Sequence, residues 1–408
     1  MSHRTVIPLR RIFFLVNGGT PTSEPENWGG EVLWATPVDF GSNLTSITRT
    51  RRTLTLAGAR SGSAIVPSDS LLISTRAPIG NVGITSTRMA FNQGCRALIP
   101  RCNADVRFFG YQLEARRLDL QAEGLGTTFL ELSSERLASF PVAAPPYDEQ
   151  RRIADFLDTE TARLGQLVSL RGQQLRLAEA KRSSSMSKAF SRQDYMPTRL
   201  KYLLASKPRY GVLVPQFIDG EGVRFIRVND LLDLSGRAAS LRQIPNELSA
   251  QYSRTITRAG DVLLSVVGTM GRSAIVPPEL QGANIARAVA SLRPGTDVAA
   301  ELISAWLTTP EFMRQAADAT SSDTAQPTLG MEDLANFKLA WPVSSAAQKR
   351  LLAAVQASQE QHRVLTRAIE AQVRLLIERR QALVTAAVTG QFDVSTASGR
   401  NVTEGVSA

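Results

Sequence analysis

Few residues of this chain could support acid–base, metal or nucleophilic chemistry. The sequence contains only two histidines, His3 and His362, so catalysis by a histidine base and zinc binding by a helical His-Glu motif are effectively excluded. Cys95 and Cys102 are its only cysteines, too few for a disulfide framework or a zinc site without further ligands. No Gly-Lys dipeptide occurs, so a phosphate-binding loop of the Walker type is absent.

Two short segments resemble parts of catalytic motifs. Ala144-Pro145-Pro146-Tyr147 shares three residues with the (Asn/Asp)-Pro-Pro-Tyr motif of amino-methyltransferases. Alanine, however, stands where an amide or carboxylate must accept a hydrogen bond from the target amine, and no glycine-rich cofactor turn accompanies it. Glu179-Ala180-Lys181 is half of a nuclease Glu-x-Lys pattern without a paired carboxylate, and a solvated helix face explains it better. The sequence therefore predicts a chain without catalytic activity or a metal site.

The charge of the chain points to a polyanionic partner. The formal net charge is +10, the sequence pI is about 10.1, and 41 of the 47 basic residues are arginine. Such a charge favours nucleic acid, and guanidinium groups bind guanine edges and phosphates with two hydrogen bonds. The preference for arginine over lysine is equally typical of a G+C-rich genome. No run of about 18 apolar residues occurs, so no membrane contact is expected and a cytoplasmic location is predicted.

Candidate DNA contacts are exposed arginines and polar residues in turns between predicted strands. The segment around Arg49 alternates Thr and Leu, which predicts a half-buried strand with a basic outer face. A solvated surface charge remains the alternative for every candidate. The candidates in the first half are Arg49, Arg51, Arg52, Arg60, Arg76 and Asn92, and those in the second half are Arg224, Arg227, Asn229, Arg254, Arg258, Thr269 and Arg272.

These candidates must be positioned by two globular segments, residues 1–147 and 193–344. The strand and turn at Asp69–Gly83 recur at Asp261–Arg272, and Asn284 follows Asn92 by 192 positions. Helices are predicted at Val106–Glu123 and Ala299–Ala317. The expected class is α+β with an internal, pseudo-twofold repeat. Glycines such as Gly80 and Gly271 are expected to shape turns.

A long helix follows each globular segment, at residues 148–192 and 345–392. Both helices carry apolar residues with heptad spacing, and the second copy follows the first at a constant offset of 198 positions without insertion. Polar residues within each seam, such as Glu160 and His362, favour a defined partner. We predict that the two helices, each roughly 60 Å long, pair as an antiparallel coiled coil. The apolar seam residues are Ile153, Leu157, Leu164, Leu167, Leu351, Val355, Leu365, Ile369 and Leu376. Residues 393–408 are small and polar and are predicted to be a disordered tail.

This arrangement resembles the specificity subunit of type I restriction-modification enzymes. The resemblance covers nearly the whole chain. It is carried by Asn17-Gly-Gly-Thr-Pro21 with Trp28-Gly-Gly30, by Ser74-Thr-Arg-Ala-Pro-Ile-Gly-Asn81, by Phe140-Pro-Val-Ala-Ala-Pro-Pro146 with Glu149-Gln150 and Ile153, and by Leu375-Leu-Ile-Glu-Arg-Arg-Gln-Ala-Leu383 with Val388-Thr-Gly-Gln391. In the second repeat Trp341-Pro342 and Ala347-Gln348 replace the Pro-Pro and Glu-Gln of the first.

The resemblance implies two target recognition domains, each binding one half of a split site in double-stranded DNA. The helices would set the spacing and dock two modification (methyltransferase) subunits, and whether restriction subunits also join stays open. S-adenosylmethionine, ATP and magnesium would belong to the partner subunits. Two alternatives remain: a non-catalytic scaffold that binds only proteins, and a specificity subunit of a system that methylates but does not cleave.

Overall fold

The computed structural model describes residues 4–124, 131–268, 270–320 and 327–394. The described part mixes helices and strands and confirms the α+β class predicted from the sequence. It divides into two compact units. Unit 1 comprises the described part of residues 1–171 and 371–408, and unit 2 comprises that of residues 172–370.

Unit 1 is built on two sheets and a short strand pair. Its strands are β1 (Val6–Pro8), β2 (Phe13–Asn17), β3 (Trp28–Ala35), β4 (Thr45–Ile47), β5 (Arg52–Leu54), β6 (Ile65–Val66), β7 (Leu71–Ser74), β8 (Val82–Thr85), β9 (Met89–Phe91), β10 (Cys95–Pro100) and β11 (Pro141–Ala143). The first sheet has the order β2-β10-β7-β8-β4, the second has the order β5-β3-β9-β6, and β1 pairs with β11. All four residues of β7 are buried, as expected for a strand with sheet neighbours on both sides.

Short helices connect these strands. They are α1 (Leu56–Gly62), α2 (Val106–Ala115), α3 (Arg117–Ala122) and α4 (Ser134–Ser139). Asp105 caps α2 by accepting hydrogen bonds from the backbone amides of Arg107 and Phe108, which satisfies amides that the helix leaves unpaired. The single helix predicted at Val106–Glu123 is therefore wrong, because Arg116 leaves helical geometry (ψ 25°) and separates α2 from α3.

Unit 2 contains the remaining strands and short helices. The strands are β12 (Met196–Arg199), β13 (Arg209–Tyr210), β14 (Val223–Ile226), β15 (Gln243–Ile244), β16 (Val262–Ser265), β17 (Ser273–Ile275), β18 (Asn284–Ile285), β19 (Val289–Leu292) and β20 (Lys338–Trp341). The helices are α6 (Asn246–Gln251), α7 (Ala300–Trp306), α8 (Pro310–Thr320) and α9 (Met331–Asn336). The sheet orders are β13-β19-β16-β17 and β15-β14-β18, with β12 paired to β20. Pro310 begins α8, so the helix predicted at Ala299–Ala317 is also two helices.

The two copies of the internal repeat share individual hydrogen bonds at equivalent positions. In unit 1 the Gly80 amide donates to the Ser74 carbonyl, and in unit 2 the Gly271 amide donates to the Ser265 carbonyl. Gly80 has φ +86° and Gly271 has φ +83°, a conformation that residues with a side chain rarely adopt. Both glycines therefore form turns, as the sequence predicted.

The two long helices are α5 (Tyr147–Phe190) and α10 (Ser345–Thr389). In unit 1 the α5 residues Ile153 and Leu157 share a core with Leu383 and Val388 of α10. The Phe156 ring lies 5.7 Å from that of Phe392, just beyond α10. Leu164, later on α5, lines a cavity with Leu376, earlier on α10. The numbering rises along one helix as it falls along the other, so the helix segments within unit 1 are antiparallel.

The helix segments within unit 2 are antiparallel as well. The Glu179 carboxylate of α5 lies 3.3 Å from Nε2 of His362 on α10. Further along α5, Met186 and Phe190 share a core with Leu351 and Val355, which come earlier on α10.

The predicted apolar seam is buried along most of its length. Ile153, Leu157, Leu164, Leu351, Val355 and Ile369 are buried, and Leu376 is half-buried. Leu167 and Leu365 depart from the prediction, with exposed fractions of 37% and 45%. Neither residue belongs to the core of its unit, whereas the seam residues nearer the helix ends do. Of the predicted tail, only residues 393 and 394 are described, and Val394 packs against the unit 1 core. Residues 395–408 lie outside the described part.

Candidate DNA-binding surfaces

In unit 1 a tight turn, residues 92–95, lies at the end of β9 and organises the loops around it. The Cys95 amide donates to the Asn92 carbonyl (3.1 Å), and the Asn92 amide donates to the last residue of β3, Ala35 (2.9 Å). The Thr75 amide donates to Gly94 (2.8 Å). These bonds bring three segments of unit 1 together: the end of β3, the loop after β7 and the turn itself. We call the surface formed by the ends of these segments, at residues 35, 75 and 92–95, the unit 1 edge.

The glycine-rich loop after β2 also belongs to the unit 1 edge. The Gly19 amide donates to the Phe91 carbonyl (3.0 Å), and the Gly19 carbonyl accepts from the Trp34 indole (3.1 Å). A Cβ on Gly18 would lie 2.0 Å from the Asn92 carbonyl oxygen, so only glycine allows this approach. The loop is thereby held rigidly beside the turn.

Three of the candidate arginines lie at the start of β5: Arg52 is its first residue, and Arg49 and Arg51 precede it. Their backbone is fixed because Asp39 accepts from the Arg51 amide (2.8 Å) and Thr50 donates to the Arg52 carbonyl (2.7 Å). All three arginines are exposed. Arg52 pairs with Trp34 in the sheet, which places this group at the end of β3 that carries the unit 1 edge.

The Arg52 guanidinium is held over an aromatic face. Its central carbon lies 3.4 Å from the centroid of the Trp28 ring and 5.8 Å from that of Trp34. The two indoles meet edge to face, with centroids 5.0 Å apart. Stacking of this kind orients a guanidinium while its N–H groups remain able to donate.

Arg60 and Arg76 reach the same edge from other directions. Arg60 lies in the last turn of α1, where a Cβ on Gly62 would lie 2.4 Å from Cα of Pro21 in the glycine-rich loop. Arg76 follows Thr75, is half exposed, and lies 3.3 Å from the Glu131 carboxylate. The structure thus brings the backbone segments that carry the unit 1 candidates toward the same end of the second sheet.

A polar network braces this edge. Arg96 donates to Ser134 (2.8 Å), Ser134 donates to Asn17 (2.9 Å), and Glu131 lies 3.7 Å from Arg96. Burial lowers the pKa of Arg96, an effect that Glu131 opposes. The side-chain oxygen of Asn92 accepts from the Gly94 amide (3.1 Å) and shapes the turn, and its DNA contact stays a prediction.

The candidates of unit 2 are not brought to one place. Arg258 precedes β16, whereas Arg272 follows it and donates its amide to Ser265, so these two lie at opposite ends of the strand. Arg224 is held by the Glu279 carbonyl (2.7 Å). Arg227 pairs with the buried carboxylate of Asp230 (3.2 Å), and its DNA contact stays a prediction.

The remaining candidates of unit 2 are Asn229, Arg254 and Thr269. Asn229 is exposed in the short helical turn after β14. Arg254 lines an open groove with Tyr210 and Leu213. Thr269 lies outside the described residues.

Sequence reasoning missed an arginine at the corresponding turn of unit 2. The Val289 amide donates to Ala286 (2.9 Å), and the Ala286 amide donates to Ile226 at the end of β14 (2.9 Å). These bonds repeat those of residues 92–95, so Ala286 corresponds to Asn92, at an offset of 194. The sequence alone aligns Asn284, two residues earlier, with Asn92 and does not point to Arg287. The signal in the sequence is a basic residue between two short apolar segments.

Other features limit what the described residues could do. Among them, no group of three or more His, Cys, Asp or Glu side chains could hold a metal ion. Burial raises the pKa of Cys95, which keeps its thiol protonated and unreactive. In the part of the chain that the structure covers, no helix is both long and apolar enough to span a bilayer.

Two α+β units, each completed by a segment of two long antiparallel helices, make up the described part of the chain. Residues 3–167 match the family described as type I restriction modification DNA specificity domain. The chain is 30% identical over 269 residues to the EcoBI specificity subunit of Escherichia coli, covering 59% of this chain and 56% of that protein. It is also 30% identical over 148 residues to the MjaIX specificity subunit of Methanocaldococcus jannaschii, covering 35% and 34%.

Two solved structures share the fold. A chain from a structure of a type I R-M system has a TM-score of 0.70 at 18% identity, covering 96% of this chain and 99% of that one. The HsdS subunit of Thermoanaerobacter tengcongensis has a TM-score of 0.51 at 18% identity, with coverage of 96% and 98%. The resemblance seen in the sequence is confirmed: this chain is similar to type I restriction enzyme specificity subunits. The matched stretches span about half or less of the length of the curated relatives.

Proposed function

We propose that this chain is the DNA-reading, non-catalytic subunit of a type I restriction-modification system. The observation that carries the proposal is the unit 1 edge, where Arg49, Arg51, Arg52 and Arg60 are exposed around a rigid loop and turn. No acidic residue interrupts the sequence from Arg49 to Arg60. Such a surface attracts phosphates and holds polar side chains near base edges.

Each unit would read one half of a bipartite, asymmetric site. The two units share a hydrogen-bond pattern but differ at the side chains around the corresponding turns, so they would recognise different half-sites. The helices α5 and α10, each of which contributes residues to both units, would set the spacing between those half-sites.

The exposed faces of the long helices would dock modification subunits. Because the helix occurs in two copies, two such subunits would bind. Restriction subunits would also bind where the system cleaves DNA. Apolar side chains such as Leu170, Leu177 and Leu375 are more than half exposed on these helices. S-adenosylmethionine, ATP and magnesium would be bound by the partner subunits, and the complex would act in the cytoplasm on double-stranded DNA.

Binding of duplex DNA by the purified full-length chain, measured over a range of salt concentrations, tests the DNA-reading role. A protein that contacts six or more phosphates loses about a thousandfold or more in affinity between 50 and 200 mM salt. A scaffold that binds only proteins would show no such dependence, and this result would reject the proposal. Cleaved or methylated product from the chain alone, given magnesium and a methyl donor, would reject the non-catalytic role.

The bipartite site is tested separately. Comparison of methylated sites across the genome with and without the protein would give the motif. A system that only methylates would show no restriction of unmodified DNA. Replacing Leu157 and Val355, both fully buried, with aspartate should abolish recognition of the split motif. Unchanged affinity of that double variant for the full site would contradict the role of the helices.

A further inference from the structure

The corresponding turns of the two units present different side chains at equivalent positions. In unit 1 the residue after Asn92 is Gln93, and in unit 2 the residue after Ala286 is Arg287. Both Gln93 and Arg287 are exposed. Each lies at the second position of its turn. The two turns are closed by equivalent hydrogen bonds, and each is bonded to the corresponding neighbouring strand of its own unit.

The backbone around each turn is fixed from both sides. The Thr75 amide donates to Gly94 in unit 1, and the Val266 amide donates to Ala288 in unit 2 (2.8 and 3.0 Å). The Arg287 amide donates to Val212 (2.9 Å). The two side chains therefore extend from rigid supports, which a base contact requires in order to discriminate between bases.

The two side chains differ in the hydrogen bonds that they offer. The Gln93 amide oxygen accepts from the Thr20 hydroxyl of the glycine-rich loop. Among the described residues, no carboxylate pairs with the Arg287 guanidinium. In the major groove an amide pairs with the N6 and N7 edge of adenine, and a guanidinium pairs with the O6 and N7 edge of guanine.

The loop beside each turn also differs in polarity. In unit 1 it offers the Thr20 hydroxyl, whereas in unit 2 it offers Leu213 and Val214, with exposed fractions of 56% and 75%. Leu213 borders an open groove of about 510 Å³ that also contains Arg254. Leu213 directly follows Val212, whose carbonyl accepts from the Arg287 amide (2.9 Å). An exposed aliphatic side chain at this place fits the thymine methyl group, which is the apolar feature of the major groove.

We infer that Gln93 reads an adenine in the half-site of unit 1, and that Arg287 reads a guanine in the half-site of unit 2, next to a thymine contacted by Leu213. The inference rests on the proposed function. It names the side chains that make the two half-sites different.

Selection from a library of randomised 30-base-pair duplexes, with the full-length chain, tests the inference. Arg287→Gln should convert one guanine of the enriched motif to adenine and leave the other half-site unchanged. Gln93→Arg should convert one adenine of the other half-site to guanine. Each exchange should alter the preference at that position by about tenfold to a hundredfold.

Two further variants complete the design. Leu213→Ser should remove the thymine preference beside that guanine, and it is independent of whether the arginine variant folds. Arg314→Gln is the matched control, because Arg314 is an exposed arginine of α8 paired with Glu311 and Asp318; its motif should equal that of the unaltered chain.

The outcomes separate the two claims. An unchanged motif in the folded Arg287→Gln and Gln93→Arg variants would overturn the inference while leaving DNA reading intact. Weaker binding to all sequences alike would also overturn it, because such a loss is typical of a phosphate contact. If the unaltered chain enriches no motif, the proposed function itself fails.

Discussion

The guanidinium carbon of Arg52 lies 3.4 Å from the centroid of the Trp28 ring. Trp28 is itself fixed, because its indole N–H donates to the Thr22 carbonyl (2.9 Å). The glycine-rich loop and the arginine of β5 are thus connected through one aromatic ring. This contact explains how an exposed arginine at the end of a strand keeps a defined direction.

Replacing Trp28 with leucine should therefore weaken DNA binding although the charge of the chain is unchanged. Without the ring, Arg52 samples more rotamers, and ordering them on binding costs about 1 kcal/mol, equivalent to about a fivefold loss of affinity. Fluorescence anisotropy with a labelled duplex measures this. Arg52→Ala should lose more and should reduce the slope of log affinity against log salt by about one. An equal slope for the alanine variant and the parent would exclude a phosphate contact.

Arg4 should contribute substantially to the stability of unit 1. Its guanidinium donates to the carbonyls of Ala387 and Val388 in the last turn of α10 and to the Glu149 carboxylate (2.7 Å). Arg4→Ala leaves these acceptors without their donor, at a cost of about 1–3 kcal/mol. Urea unfolding measures the loss. Arg10→Ala, which removes an exposed arginine, should change the free energy of unfolding by less than about 0.5 kcal/mol.

In unit 2 the Asp261–Arg293 pair should be critical for folding. Arg293 donates twice to Asp261, at 2.8 Å in both bonds, and Asp261 is 2% exposed. The pairing raises the pKa of Arg293, and a guanidinium is in any case not deprotonated in proteins. Asp261→Ala leaves a partly buried charge unpaired and should cost about 3 kcal/mol.

The control for this prediction is Asp233→Ala, at an exposed acidic position of the same unit whose carboxylate accepts from the Gly236 amide. It should cost about 1 kcal/mol. If the two aspartate variants unfold at the same denaturant concentration, the Asp261 pair does not have the predicted importance.

The stability of the helix pair in unit 2 should fall in acid. The pKa of Glu179 lies below its usual value of 4.5 because Arg182 donates to it, with a smaller contribution from His362. A carboxylate whose pKa is lowered by folding stabilises the folded state above the unfolded pKa, and this contribution is lost as pH falls through the folded pKa. Glu179→Gln should therefore lower the melting temperature at pH 7, and this difference should shrink as the pH falls below 4.5. A difference that does not shrink in acid would assign the effect to packing.

The sequence by itself determined those features that depend on periodicity and local backbone chemistry. Heptad spacing predicted two long helices and most of their buried seam, because burial on a helix follows from residue type at each turn. Gly80 and Gly271 were recognised as turn formers because positive φ values exclude most side chains. The net charge of +10 predicted a polyanionic partner.

Only the tertiary structure decided which polar residues stand together. Arg227 is indistinguishable from Arg49 in sequence, yet one pairs with a buried carboxylate and the other is exposed. Asn92 forms a turn, whereas its neighbour Gln93 faces outward. The correspondence of Gln93 with Arg287 depends on hydrogen bonds between strands distant in the chain, and no local pattern records such long-range pairing.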